Sequence, residues 1–364
     1  MDLLKVEHPI ILSPMPLGGS PSLALAVCAA GGLGSIGCAL STPDAAAREI
    51  ATMHASTDGP FAVNFFCHAQ VAADLAAERV WNDAMRPYYR AWDIPFEPSK
   101  DWLTITPFDD AMCDVLERAP PAVVSFHFGL PARHLVHRLK ALGCPVMSSA
   151  TTVEEARWLE ANGADIVIAQ GVEAGGHRGT FLPRDPIWSA GGDIGTFALV
   201  PQVADAVSIP VVAAGGIADG RGIAAAFALG ADGVQIGTGY LRCPEAEISS
   251  SYRRALEVAE SGSTVVTNVF TGRAARSIVN RVVRDLGPIS SLAPAFPSAM
   301  TAMRQLAFEA ARQGDGDFTP FWAGEAVALA RPLPAGELTA LLVTEAMRAF
   351  LGEVANPTNV RLPD

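Results

Sequence analysis

The sequence predicts an α/β chain in which eight parallel strands alternate with helices and close into a barrel, with a mostly helical cap subdomain formed by insertions. Three observations carry that expectation. Short apolar runs alternate with amphipathic stretches along most of the 364 residues, the pattern of repeated βα units. One joint recurs: Gly163-Ala-Asp-Ile-Val167 returns as Gly230-Ala-Asp-Gly-Val234, an offset of 67 residues (163 to 230). A βα unit takes about 30 residues, so the repeat spans two units of a wound parallel array. After the first strand, where an open dinucleotide-binding sheet carries Gly-x-Gly-x-x-Gly, the chain reads Pro14-Met-Pro-Leu-Gly-Gly19, whose prolines cannot open that helix. The expectation is therefore a TIM (β/α)8 barrel rather than a doubly wound sheet.

Taken in order, the apolar runs place strands at residues 10–13, 33–36, 61–66, 123–126, 146–149, 166–170, 211–214 and 234–237. Thr152 is placed to cap a helix over 153–162, which Gly163 stops; a second helix over 219–229 ends at Gly230. Two segments break the rhythm. Residues 67–121 exceed what one crossover helix needs and hold Trp81, Tyr88, Tyr89, Trp92 and Trp102; residues 241–364 read as mostly helical, broken by Pro288, Pro294 and Pro297. The barrel is assigned to 1–70, 115–245 and 323–364, and the cap to 71–114 and 246–322. Most of the cap aromatics are expected to form that subdomain's own core.

Composition excludes several function classes. Half the residues are hydrophobic and 18% are charged, which rules out extended disorder. Three lysines (Lys5, Lys100, Lys140) and a net charge of −12 leave no basic stripe for nucleic acid or anionic lipid. The longest apolar run, 23–30, is too short to span a bilayer, and the N-terminus carries no signal-peptide core. Six scattered cysteines without a Cys-x-x-Cys pair argue against structural zinc and disulfides and for a cytoplasmic protein. A monomer or homodimer is expected.

In a barrel the chemistry sits at the C-terminal strand ends. Gly215-Gly216-Ile217 follows the seventh strand and Gly237-Thr238-Gly239 the eighth, exposing backbone N–H groups where barrels hold phosphate, with the helix beginning at Asp219 aimed at the same place. The sixth strand ends in Gln170-Gly-Val-Glu-Ala-Gly-Gly-His-Arg-Gly-Thr180, a loop able to carry the His177 imidazole over a flat ligand. Glu173 reads as a solvent-facing carboxylate. Asn64, His127, Ser148, Ser149, Gln170 and Gln235 make a neutral polar ring without a carboxylate cluster, which speaks against a divalent metal. Lys140 precedes the fifth strand, which disfavours a Schiff-base aldolase. Phosphate loops, neutral polar groups such as Asn64 and Ser149, and the Met-Pro segment suit bound flavin mononucleotide (FMN).

These residues, with Asn64-Phe-Phe-Cys-His68, His127-Phe-Gly-Leu-Pro131, Ser149-Ala-Thr-Thr152, Phe270-Thr-Gly-Arg-Ala-Ala-Arg276 and Phe321-Trp-Ala-Gly-Glu325, resemble the FMN-dependent nitronate monooxygenases, formerly called 2-nitropropane dioxygenases, over nearly the whole chain. The motifs are similar to the bacterial and yeast type acting on propionate 3-nitronate. The resemblance implies that Pro14, Met15 and Pro16 pass beside the isoalloxazine and that Gln170 and Gly175 contact the flavin. It also implies that Gly215, Gly216, Gln235, Ile236, Gly237 and Thr238 hold the ribityl phosphate, and that His177 is the active-site histidine. The implied chemistry is one-electron oxidation of an anionic nitronate through a flavosemiquinone, with O2 as the final acceptor and an aldehyde or oxo acid plus nitrite as products. His177 would orient the nitronate or take the α-proton of a neutral nitroalkane. Tyr88, Tyr89 and Arg304 are the cap candidates for a substrate carboxylate. Two other functions compete: an FMN- and NAD(P)H-dependent enoyl-thioester reductase, and a non-catalytic flavin-binding protein.

Overall fold

The computed structural model describes residues 2–70, 72, 74–97, 105–183 and 193–353. Its strands, in chain order, are β1 (Ile10–Leu12), β2 (Gly34–Gly37), β3 (Phe61–Phe66), β4 (Val123–His127), β5 (Val146–Ala150), β6 (Ile166–Gln170), β7 (Gly176–His177), β8 (Val211–Ala214), β9 (Gly233–Ile236), β10 (Thr264–Thr267) and β11 (Ala275–Ile278). Eight of them pair in parallel in the order β1-β9-β8-β6-β5-β4-β3-β2. The last gap is bridged where Leu12 N–H donates to the Leu33 carbonyl and Leu33 N–H to the Ile10 carbonyl, each at 2.9 Å, which closes the barrel. All eight expected barrel strands are present, with ends shifted by no more than one residue.

Side chains alternate across each strand with period two, and here the alternation is complete. Ile11, Ala62, Val123, Met147, Ile166, Ile168 and Val212 fill the barrel interior together with Leu4 from the N-terminal turn. Their neighbours Ile10, Leu12, Val63, Val124, Val146, Val167 and Val234 face the surrounding helices. Following the inward parity toward the strand C-termini leads from Ala62 to Asn64, from Val123 through Ser125 to His127, from Met147 to Ser149 and from Ile168 to Gln170.

The helices are α1 (Pro21–Ala29), α2 (Pro43–Ser56), α3 (Leu75–Ala91), α4 (Asp110–Arg118), α5 (Arg133–Ala141), α6 (Val153–Ala161), α7 (Thr196–Ala204), α8 (Gly220–Ala228), α9 (Ser250–Val258), α10 (Arg281–Leu286), α11 (Met300–Arg312) and α12 (Ala335–Phe350). Thr152 Oγ1 accepts from Glu155 N–H at 3.1 Å and caps α6, while Gly163 takes φ +103°, beyond the reach of most side chains, to release the chain from it. α4 lies across residue 114 and packs on α2 and α5 of the barrel coat.

The cap has its own apolar core. Trp81, Met85 and Tyr89 of α3 meet Ala302, Met303 and Leu306 of α11, with Phe270 and Phe318. Trp81 Nε1–H donates to the Ala299 carbonyl at 3.0 Å, and the Tyr89 hydroxyl to the Ala302 carbonyl. Trp92 packs against the same core, and Trp102 lies outside the described residues. Beside the helices stands a hairpin, β10–β11, which the helical reading of this segment did not resolve; its second strand adds β7, with Ala275 opposite His177. The pairing ties the glycine-rich loop of the barrel to the cap.

Candidate functional site

A cavity of about 320 Å³ opens between the C-terminal strand ends and the cap. Its wall includes Pro14, Met15, Pro16, Asn64, Ser149, Gln170, Gly175, His177, Gly215, Gly216, Gln235, Gly237 and Thr238, together with His127 of the polar ring. Two strand residues expected there do not line it. Ser148 has the parity opposite to Met147 and Ser149, is fully buried away from the cavity, and donates to the Gly129 carbonyl at 2.8 Å. Ile236 is the other. Its parity turns it outward into the barrel's apolar coat, where it is 1% exposed, and its carbonyl accepts from Ser13 N–H at 2.9 Å.

At one end of the cavity, Gly215 and Gly216 take successive positive φ values of +113° and +71°. A Cβ on Gly215 would meet Thr196 Oγ1 at 2.9 Å and Ala174 N at 3.0 Å, so a side chain is excluded there by sterics as well as by backbone conformation. The N–H groups of Gly215, Gly216 and Thr238 have no acceptor among the described residues. Unused donors on one cavity wall, at glycines without side chains, suit a phosphate, and the residues present fit that of a flavin nucleotide. The helix expected to aim at this cradle has no backbone donor left to offer it. Asp219 Oδ1 caps the Arg221 and Gly222 N–H groups of α8, and Gly220 N–H donates to Glu345 of α12 at 3.1 Å, so its free donors are consumed. Glu173 is likewise no solvent-facing carboxylate: it accepts from Thr196 N–H at 2.8 Å and Thr196 Oγ1 at 2.8 Å, closing the end of α7.

The His177 loop is braced from below. Gln170 Nε2 donates to the His177 carbonyl at 2.9 Å, while its Oε1 accepts from Gly179 N–H at 2.8 Å. Arg178, 2% exposed, turns away from the cavity and donates to the Gly171 carbonyl at 2.6 Å. His127 Nε2 lies 3.1 Å from the His177 carbonyl, which can only accept, so this nitrogen carries the proton. His127 Nδ1 is then a lone pair and accepts from Ser149 Oγ at 2.5 Å. Ser149 is therefore spent on His127, although it stays in the cavity wall. Asn64 Nδ2 donates to Ser125 Oγ at 3.0 Å.

The His177 ring is set among Phe66, Phe128, Phe296 and Trp322, with centroids 5.3–6.1 Å away, and its Nε2 lies 3.0 Å from Thr271 Oγ1. Burial pushes its pKa down to about 3, helped by the His127, Arg273 and His68 charges. His127 is pushed down to about 3 by burial and by Arg273. Both imidazoles are thus neutral near pH 7. Arg273 lies 3.8 Å over the Phe128 ring and donates to the Thr180 carbonyl; Phe128 itself holds φ +71°.

Among the cap candidates only Arg304 lines the cavity, beside Met300, Met303 and Ala307 of the same helix. Tyr89 is in the cap core, and the Tyr88 hydroxyl donates to Asp285 at 3.1 Å. Thr271, Trp322 and Tyr252 also line the cavity and were assigned no role from the sequence, although the first two stand inside quoted motifs. The Tyr252 hydroxyl donates to the Trp322 carbonyl at 2.5 Å, and no sequence signal marked it. Among the described residues, no group of three or more His, Cys, Asp or Glu could hold a metal ion.

Comparison with known proteins matches residues 1–345 to the family model described as nitronate monooxygenase. The chain is 44% identical over 348 residues to a nitronate monooxygenase of Pseudomonas aeruginosa, covering 94% of this chain and 97% of that one. It is 43% identical to one of Paraburkholderia phytofirmans, over 95% and 94%. Its fold superposes on nitroalkane oxidase from Streptomyces ansochromogenes with a TM-score of 0.87 and 41% identity over 96% and 98% of the two chains. It superposes on FabK from Thermotoga maritima with a TM-score of 0.70 at 30% identity, over 96% of each chain.

Proposed function

We propose that this chain, which belongs to the nitronate monooxygenase family, oxidises small alkyl nitronates with O2 on bound FMN, releasing an aldehyde or oxo acid and nitrite. One observation carries the reading. A single cavity joins a glycine cradle for the cofactor phosphate, a neutral imidazole, and a cap guanidinium, Arg304. Propionate 3-nitronate is anionic at both ends, and this cavity offers a donor-bearing group to each.

In this reading Gly215, Gly216, Gly237 and Thr238 hold the phosphate, while Pro14, Met15, Pro16, Asn64, Gln170 and Gly175 border the ring system. FMN, when bound, supplies the one-electron acceptor and the connection to O2. The protein's own part is to bind and orient. His177 stands against the nitronate group, Arg304 receives the carboxylate, and the aromatic walls keep bulk water from the reacting atoms. In this division the described residues of 1–70, 115–245 and 323–364 form the cofactor side, and those of 71–114 and 246–322 the substrate side. A cytoplasmic setting suits the chain: all six cysteines are free, and burial pushes every thiol pKa up. No helix among the described residues is long and apolar enough to cross a membrane. A monomer or a homodimer fits this reading.

The test is an anaerobic titration of the yellow holoprotein. Propionate 3-nitronate is expected to change the flavin spectrum with no nicotinamide present, and in air to consume O2 and yield nitrite. Arg304→Leu should raise KM for propionate 3-nitronate on the order of tenfold or more, as expected for a lost charge-assisted contact. Ethylnitronate, which lacks the carboxylate, should be affected much less. Turnover only with an enoyl thioester plus NADPH would replace this reading with that of an enoyl-thioester reductase.

A further inference from the structure

We propose that the Thr271 hydroxyl donates to Nε2 of His177 and holds the imidazole as its Nδ1–H tautomer, so that His177 meets a bound nitronate as a hydrogen-bond donor. The inference rests on the nitronate reading above for its substrate, but its geometry does not. Thr271 Oγ1 has one proton to give and two neighbours that could take it, Nε2 of His177 at 3.0 Å and the Arg273 carbonyl at 3.4 Å. Hydroxyl donation to oxygen normally falls between 2.5 and 3.0 Å, so the 3.4 Å contact is outside the usual range, while the contact to Nε2 is well placed. The hydroxyl's acceptor side is also engaged, since Arg273 N–H donates to Oγ1 at 3.3 Å. With Nε2 accepting, the ring proton belongs on Nδ1, which has no partner among the described residues in a side chain that lines the cavity.

The surroundings favour a neutral ring over a doubly protonated one. Arg273 lies behind Phe128, His127 donates to the His177 carbonyl, and His68 packs against Phe128 and Phe296. None of these groups offers the ring a negative charge. A neutral Nδ1–H suits an anionic nitronate oxygen and cannot accept a proton at that atom. Pre-formed nitronates are therefore the matched substrates, and neutral nitroalkanes, which need a C–H proton removed, are not. Thr271 is a positioning residue: it acts through His177.

The deciding experiment is ¹⁵N NMR of histidine-labelled holoprotein, with His177→Asn used to assign the His177 signals. The expected wild-type spectrum shows protonated Nδ1 and unprotonated Nε2 for His177, and Thr271→Val exchanges the two. In kinetics, Thr271→Val should raise KM for ethylnitronate on the order of tenfold with a smaller change in kcat, and Thr271→Ser, which keeps the hydroxyl, should restore the wild-type pattern. A wild-type His177 protonated on Nε2 overturns the proposal, whether or not the Thr271→Val variant folds. A spectrum with Nδ1 protonated, from a protein that does not turn over nitronates, leaves the tautomer standing and defeats only the assigned substrate.

Discussion

At the scale of single residues, the site depends on what is missing as much as on what is present. Gly216 holds φ +71°, and an added Cβ would come within 3.4 Å of the Glu173 side chain, at the edge of a cradle whose N–H groups stay unpaired. Gly216→Asp adds strain and, in the proposed binding mode, sets a carboxylate against the cofactor phosphate. Two charges about 4 Å apart in partly screened surroundings repel by about 4 kcal/mol. FMN affinity is expected to drop on the order of a thousandfold, read as colourless protein after gel filtration. A variant that keeps its yellow colour would remove Gly216 from the phosphate site. The same scale shows why Ile236 does not belong with Gln235. Adjacent residues on a strand face opposite ways, so a contiguous motif 235–238 cannot deliver every side chain to one cavity.

At the scale of elements, strands and caps were readable because their signals are local. Buried runs bounded by glycine and proline fix a strand to within a residue, and Thr152 and Gly163 punctuate α6 from its two ends. Inward parity, counted from the buried interior, keeps His127 and Ser149 in the polar ring and turns Ser148 out of it. The β10–β11 hairpin and the Thr271–His177 contact were not readable in this way. The contact joins residues 94 positions apart, and two four-residue strands carry too little periodicity to distinguish them from a loop. Which of Tyr88, Tyr89 and Arg304 lines the cavity was equally hidden, because it depends on how α11 rotates against α3. That seam gives a prediction. Trp81 is fully buried and donates from Nε1 to the Ala299 carbonyl. Trp81→Ala should cost about 3–5 kcal/mol through the cavity it leaves. The cap core is separate from the barrel core, so the loss should appear as easier proteolysis within cap segments while the barrel resists. A uniform loss of resistance across the whole chain would show that the two cores unfold as one.

At the scale of the whole molecule, the site has a thermodynamic cost that extends beyond the cavity. His127 and His177 are both pushed down to about 3, with burial as the leading cause for each, whereas an unfolded histidine titrates near 6.5. Between those values the unfolded chain binds more protons than the folded one, so stability falls as pH drops below about 6.5 and the loss continues toward pH 3. Each group then contributes a loss of roughly 2 kcal/mol between pH 7 and pH 5, and the pair about 4 kcal/mol. That is a large fraction of the 5–15 kcal/mol typical of a folded domain. The expected outcome is a clear fall in the urea midpoint of the apoprotein from pH 7 to pH 5. Carboxylates held below their usual range by partners act in the same direction, so the histidine share must be isolated. His127→Asn can still offer an amide donor to the His177 carbonyl but no longer titrates. The fall between pH 7 and pH 5 should therefore shrink by about 2 kcal/mol in this variant, whatever its stability at pH 7. An unchanged pH dependence would mean that His127 takes up its proton in the folded barrel as readily as in the unfolded chain, and that burial beneath the cap does not hold the imidazoles neutral.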